Sequence, residues 1–256
     1  AANAGIAAAG LLTYFVLGGP TAAVFYVSAL LYGVWGLVSW LLLPRGCGDA
    51  PCESTPIATY LAIFRNRAYM AYSLAAVLIW ALYFQLTLAL PLRAEAVLAD
   101  PGRVSLIWTI NSGIVIVFQT QITRRITARI HPMTTLAVGV LIIGLALGSL
   151  AWADNFRGLM LSGALFVIGE MLIMPTSDIV VSRLGAAAMI GAFFGIANFV
   201  AGIGEGAGKF IGGQLLSAGA DDPLPWICYL LAGIAFSALL AGLRYWKPMR
   251  GLLPGE

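Results

Sequence analysis

The amino-acid sequence predicts an all-α fold, a polytopic helical membrane protein with eight transmembrane helices. Composition is the first reason, because 61% of the 256 residues are hydrophobic and only 10% are charged. Soluble domains contain about 45–50% apolar and about 25% charged residues. The second reason is that the apolar residues form continuous stretches of about 18–25 residues, long enough to cross a hydrocarbon core of about 30 Å.

Turn-forming residues separate these stretches. Gly18-Gly19-Pro20 and Asp221-Asp222-Pro223 are two such breaks, in which glycine and proline interrupt the helical pattern. The predicted spans are Ala1–Gly18, Thr21–Leu43, Tyr69–Leu92, Val104–Ile122, Thr134–Ala153, Leu159–Thr176, Gly185–Leu216 and Pro225–Leu243.

The basic residues predict the orientation of the chain. Cytoplasmic loops of membrane proteins carry an excess of lysine and arginine. With eight spans, ten basic residues fall on one side of the membrane and three on the other. We therefore expect a multi-pass protein of the plasma (inner) membrane, with the long connection 44–67 and both ends of this chain in the cytoplasm.

Charged side chains inside the predicted spans are the first candidate functional residues, because a charge at the bilayer centre costs about 3 kcal/mol on insertion scales. Glu205 and Lys209 are one helical turn apart, so they share a helix face and can pair. Glu170 is the one charged residue of the sixth predicted span, and it precedes Pro175. We predict that Glu170 and Glu205 carry protons and that Lys209 modulates them. The alternatives are an ion pair that only holds the bundle together and a protonated Glu170 that hydrogen-bonds to a neighbouring helix.

Carboxamide side chains inside the spans are the candidate substrate-binding residues. Polar groups at membrane depth face a bundle interior or a wet cavity. The third, fourth, sixth and seventh spans carry such groups and are therefore expected to line a cavity. The substrate-binding candidates are Gln85, Asn111, Gln119 and Asn198. Hydrogen bonds that merely connect helices are the alternative role for these amides.

The sequence contains no pattern that indicates an enzyme. It has no phosphate-binding loop of the Walker type, its single histidine, His131, lies in a predicted loop, and no nucleophile or zinc constellation is recognisable. We therefore predict no catalytic residues, no cofactor, no metal and no nucleic-acid partner. The expected partners are the lipid bilayer, a small-molecule substrate and protons.

Three motifs resemble the C-terminal half of a major facilitator superfamily transporter. They are the basic segment that runs from Gln119 to Arg129, the Gly169-Glu170…Pro175 helix, and the glycine-rich run that ends in Gly212-Gly213-Gln214. The likeness is greatest to bacterial multidrug proton antiporters of the MdtH type.

This resemblance implies a domain organisation. The eight spans would correspond to helices 5–12 of the major facilitator fold. Residues 1–43 would be the last two helices of the N-terminal half, residues 44–67 the cytoplasmic central loop, and residues 68–256 the six-helix C-terminal half. The first four helices of the family fold would then be missing from this chain, so we expect it to be incomplete.

The resemblance also implies a function, namely secondary active transport by alternating access, with proton-coupled efflux of amphipathic small molecules. Two alternatives stay open at this point. One is uptake of a sugar or another metabolite. The other is a membrane scaffold, or the product of a truncated gene, that does not transport.

Overall fold

The computed structural model of the protein describes residues 2–16, 22–43, 57–217 and 219–252. The helices in this part of the chain are α1 (Ala2–Leu11), α2 (Ala22–Leu42), α3 (Ile57–Arg65), α4 (Arg67–Tyr83), α5 (Gln85–Val97), α6 (Val104–Ile122), α7 (Pro132–Ser149), α8 (Phe156–Leu184), α9 (Ile190–Leu216), α10 (Leu224–Leu243) and α11 (Lys247–Arg250). Within the described ranges no residue lies in a β-strand.

Seven helical segments of the described chain are long and apolar enough to cross a membrane, and α4 and α5 together form one of them, Arg67–Val97. The first predicted span is represented by a shorter apolar helix, Asn3–Phe15. The prediction of an all-α, multi-pass membrane protein is therefore confirmed. The number of eight spans stays a prediction.

Helix α7 lies at the centre of the helix packing and is buried along most of its length. This helix packs between α8 and α10 through pairs of glycines. A Cβ atom added at Gly144 would lie 2.6 Å from Cα of Gly233, and one added at Gly139 would lie 3.1 Å from the carbonyl oxygen of Gly169. Glycine at these positions is needed because the helix backbones touch each other directly.

The long helix α9 has two different faces. One face packs against α4 through Gly204 and Gly208, where an added Cβ would lie 2.6 Å from the Val77 carbonyl oxygen and 2.7 Å from the Ala81 Cα atom, respectively. The other face is open, since a Cβ added at Gly202 would meet no atom of the described structure within 4 Å.

A buried arginine connects the helix ends at one end of the bundle. Arg93, near the end of α5, is only 6% exposed, yet it pairs with Asp154 at 2.9 Å and with Asp221 at 2.8 Å. It also donates to the carbonyl oxygens of Ala151 and Ala220. The connections α7–α8 and α9–α10 are thereby attached to α5.

The predicted domain boundaries are only partly covered. Within the predicted loop 44–67, residues 44–56 lie outside the described residues, and 57–65 form α3. Upstream of the loop, α1 packs against α6, and Thr109 of α6 donates a hydrogen bond to the carbonyl oxygen of Ala7. The division into domains stays a prediction.

Candidate functional site

A cavity of about 180 Å³ lies between α1, the α4–α5 junction, α6 and α8; we call it the central cavity. Most of its wall is apolar and aromatic, with Phe84, Trp108 and Phe166 among the lining residues. Its polar lining residues are Asn3, Tyr83, Thr87, Asn111, Ser112 and Glu170. Glu170 is the one charged residue among the described residues that line it.

The break between α4 and α5 shapes one wall of the central cavity. The first of these helices ends at Tyr83 and the second begins at Gln85, with Phe84 between them. Thr87 donates a hydrogen bond of 2.8 Å to the Phe84 carbonyl oxygen. Tyr83 and Thr87 are four residues apart and Phe84 and Thr87 are three apart, spacings that share one helix face, and all three residues line the cavity.

Glu170 and Tyr83 face each other across the cavity. The Tyr83 hydroxyl lies near enough to the Glu170 carboxyl for the two groups to interact. Glu170 is half-buried and forms no ion pair with any described residue. Because the cavity wall is otherwise largely apolar, the gain or loss of one proton by the Glu170 carboxyl would change the net charge of the cavity lining.

Asn111 is the buried amide of the central cavity. It is 3% exposed, and neither its Oδ1 nor its Nδ2 atom has a hydrogen-bond partner among the described residues. Gly163 of α8 lies against it, where an added Cβ would approach Nδ2 to 3.1 Å. Buried amides are normally paired in folded proteins, so Asn111 has donors and an acceptor to offer to a bound molecule.

The pair Glu205–Lys209 lies beside the central cavity and does not line it. The Lys209 ammonium donates to the Glu205 carboxylate at 2.5 Å, and the Lys209 and Glu205 side chains are 45% and 36% exposed, respectively. Lys209 Nζ also lies 5.6 Å from the centre of the Phe84 ring, which itself lines the cavity. Both charges therefore sit on the open face of α9, next to the cavity wall.

The three remaining amides lie elsewhere. Gln85 is 3% exposed, and its Nε2 donates to the Ala81 carbonyl oxygen at 2.8 Å while its side chain packs on Gly212. Gln119 donates from Nε2 to Thr123 Oγ1 and to the Met171 carbonyl oxygen, both at 3.1 Å. Asn198 is exposed on α9 and lines a separate cavity with Asp178. Of the predicted site residues, the structure thus brings together Asn111 and Glu170.

Two polar residues of interest were missed by the sequence analysis. Tyr83 lies in the third predicted span, and nothing in its sequence neighbours points to Glu170. Asp178 was excluded because the sixth span was predicted to end at Thr176, whereas α8 continues to Leu184. Pro175 and the charge of Asp178 are both local signals for the end of a span, so the sequence alone does not predict this extension.

Comparison with known proteins finds relatives that are named as multidrug resistance proteins and transporters. The MdtH multidrug resistance protein of Sodalis glossinidius is 24% identical over 221 residues, which cover 86% of this chain and 53% of that protein. An uncharacterised MFS-type transporter of Mycobacterium tuberculosis is 25% identical over 230 residues, covering 83% of this chain and 54% of the relative. No protein-family model matches the chain.

A solved structure has the same fold. A mutant of the peptide transporter POT superposes with a TM-score of 0.56 at 14% sequence identity, over 99% of this chain and 48% of that one. The chain thus spans about half the length of the curated relatives it matches. These relatives are named as transporters or multidrug resistance proteins, in agreement with the prediction of a transport protein and not an enzyme. The chain is similar to MdtH multidrug resistance proteins and to an MFS-type transporter, and its fold is that of about half of the solved peptide transporter.

Proposed function

We propose that this chain is part of a proton-coupled transporter that exports amphipathic small molecules by alternating access. The observation that carries the proposal is the position of Glu170 as the one charged residue lining an otherwise largely apolar and aromatic cavity. The multidrug resistance proteins among the relatives support this class of substrate. The lipid bilayer, protons and the small-molecule substrate are then the partners of the protein.

Glu170 is proposed to alternate between a protonated form and an ionised form that binds the substrate. When it is protonated, the cavity is neutral and binds an amphipathic molecule weakly. When it is ionised, its negative charge together with the ring faces of Phe84 and Trp108 favours a molecule with an apolar body and a positive or strongly polar group. Proton binding and substrate binding therefore compete, which is the requirement for exchanging a proton against a substrate molecule.

The other candidate residues are given supporting roles in this proposal. Asn111 orients the substrate through its unpaired amide. Glu205 and Lys209 modulate the cavity through Phe84, and Glu205 is a second candidate proton carrier. Asn198, Gln85 and Gln119 remain candidates for substrate binding in other conformations of the transport cycle.

The full activity is proposed for a longer polypeptide. In this proposal residues 1–43 complete an N-terminal half, residues 44–67 are the cytoplasmic central loop, and residues 68–256 are the C-terminal half. N-terminal helices that this chain does not contain would supply the opposite wall of the central cavity. Both ends of the present chain are proposed to face the cytoplasm of a plasma-membrane protein.

The experiment is dye efflux driven by a pH gradient, measured in membrane vesicles containing the protein expressed from its complete reading frame. We expect Glu170→Gln to abolish the acceleration of efflux by the gradient and to bind the dye weakly, because its side chain is permanently neutral. The matched control is Glu95→Gln, which removes an exposed carboxylate of α5 and should leave efflux unchanged. Gradient-driven efflux that survives in Glu170→Gln would remove this residue from the coupling step, and gradient-driven uptake would reverse the proposed direction.

A further inference from the structure

A second cavity, of about 50 Å³, lies between α4, α8 and α9; we call it the Asp178 pocket. Every polar side chain that lines it, apart from the indole of Trp80, carries an oxygen atom. These residues are Tyr72, Ser73, Ser177, Asp178 and Asn198. None of them lines the central cavity, so this pocket belongs to a different site.

Several of these polar groups lack a partner. Asp178 lies within the apolar helix α8 and forms no ion pair with any described residue. Ser177 is 6% exposed, and its Oγ atom has no hydrogen-bond partner in the described part of the chain. Tyr72, a 2% exposed residue, contributes its hydroxyl to the lining of the same pocket. One carboxylate and several hydroxyl groups thus border a cavity that no described residue fills.

We propose that the Asp178 pocket binds one small monovalent cation, either Na⁺ or the terminal ammonium group of an organic molecule. Carboxylate, amide and hydroxyl oxygens are the ligands that hard cations prefer, and primary ammonium groups donate hydrogen bonds to the same atoms. A single carboxylate balances a single positive charge.

The pocket has room for a small ligand. Its volume of about 50 Å³ exceeds the ~10–15 Å³ that one water molecule requires, so one small ion or one ammonium group fits. The rings of Trp80 and Phe194 form part of the wall and attract cations through their faces. Since its ligands come from three helices, the cation stabilises the packing of α4, α8 and α9. This inference goes beyond the proposed efflux function and does not depend on it.

The test is thermal unfolding of the detergent-purified protein, produced from its complete reading frame, at constant ionic strength. Choline chloride is the reference salt, and NaCl, KCl or methylammonium chloride replaces it. We expect one of the small cations to raise the midpoint by about 4 °C at ten times its dissociation constant. The increase should disappear in Asp178→Asn, shrink in Ser177→Ala, and persist in the control Glu95→Gln.

The outcomes separate the two sources of the cation. A response to NaCl identifies an inorganic cation site, and a response to methylammonium without one to NaCl identifies a site for an organic ammonium group. Equal midpoints in all salts, or an undiminished response in Asp178→Asn, would overturn the proposal. If Asp178→Asn does not fold, an undiminished response in Ser177→Ala overturns it instead. Because this test measures no transport, a negative result leaves the proposed function untouched. A negative result in the efflux experiment likewise leaves the cation site untouched.

Discussion

The side-chain amide of Gln119 donates a hydrogen bond of 3.1 Å to the carbonyl oxygen of Met171. That carbonyl lies one helical turn before Pro175, whose nitrogen has no hydrogen to donate. Helix α6 therefore supplies the donor that the proline removes from α8. Because the carbonyl is satisfied, α8 continues through the proline to Leu184, and Asp178 becomes part of a membrane helix.

The first prediction is that Gln119 stabilises α8 through Met171. Gln119→Leu should lower the free energy of unfolding by about 1–2 kcal/mol, because a buried carbonyl oxygen is left unpaired. In a Pro175→Ala background, Gln119→Leu should lower the free energy of unfolding by clearly less. The reason is that the N–H of the alanine restores the helical hydrogen bond to the Met171 carbonyl oxygen. Denaturant unfolding of the four proteins in detergent measures this coupling.

The same set of variants distinguishes a structural role of Gln119 from substrate binding. Dye affinity should be unchanged in Gln119→Leu if the amide serves only α8. Gln121→Leu, on the same helix but exposed, is the control. If Gln119→Leu lowers the free energy of unfolding equally with Pro175 and with alanine at that position, and if dye affinity is lost, the role in substrate binding would be supported instead.

The second prediction concerns the glycines of α9. Gly208→Ala should destabilise the protein by about 1–3 kcal/mol, because the added methyl group collides with the backbone of Ala81. Gly206→Ala is the matched control on the open face, where an added Cβ meets no described atom within 4 Å. Gly206→Ala should be neutral or stabilising, since alanine is the better helix former by about 1 kcal/mol. Equal effects of the two variants would show that the close contact between α4 and α9 is not present.

The third prediction concerns Glu205 and Lys209. Each single variant, Glu205→Gln or Lys209→Met, should lower the yield of folded protein, because it leaves one unpaired charge at membrane depth, which costs about 3 kcal/mol on insertion scales. The double variant should recover, because it removes both charges together. Size-exclusion profiles of the three proteins provide the measurement. A double variant no better than the worse single variant would mean that the two charges act independently of each other.

The fourth prediction follows from His131, which precedes α7 outside the membrane-spanning segments. Burial lowers the pKa of its imidazole, the charges of Arg244 and Arg183 lower it further, and the contact with Met249 opposes this. Met133 N–H donates to Nδ1 at 3.2 Å, so the neutral ring donates from Nε2 to the Met249 carbonyl oxygen at 3.1 Å. Protonation would remove the acceptor for Met133.

The sign of the pH dependence follows from this lowered pKa. Above the pKa of about 6.5 that an unfolded histidine has, both states are neutral and the stabilisation is complete. As the pH falls below that value the unfolded chain binds the proton first, so stability decreases toward the lower folded pKa. Midpoints of thermal unfolding should therefore fall as the pH is lowered below about 6.5. This component should be absent in His131→Asn, which keeps a capping side chain without titrating, and an identical pH profile in the variant would contradict the assignment.

Much of the fold could be predicted from the sequence because hydrophobic length and turn residues are local signals. The bounds of α6, Val104–Ile122, match the predicted span, and Asn111 and Glu170 were identified as polar groups in apolar helices. The extension of α8 could not be predicted, because the donor that compensates Pro175 comes from Gln119, far away in the sequence. The same applies to Gln85, whose polar atoms are directed to Ala81 and Gly212 by the packing of α9.

The proposed exchange at Glu170 is tested most directly by counting the protons that substrate binding displaces from the purified, complete protein. A pH indicator in weakly buffered solution reports protons released when a dye substrate is added. We predict that the wild-type protein releases protons on binding and that Glu170→Gln, at dye concentrations high enough to saturate its weaker binding, releases none. Equal proton release by the two proteins would contradict the central role of Glu170.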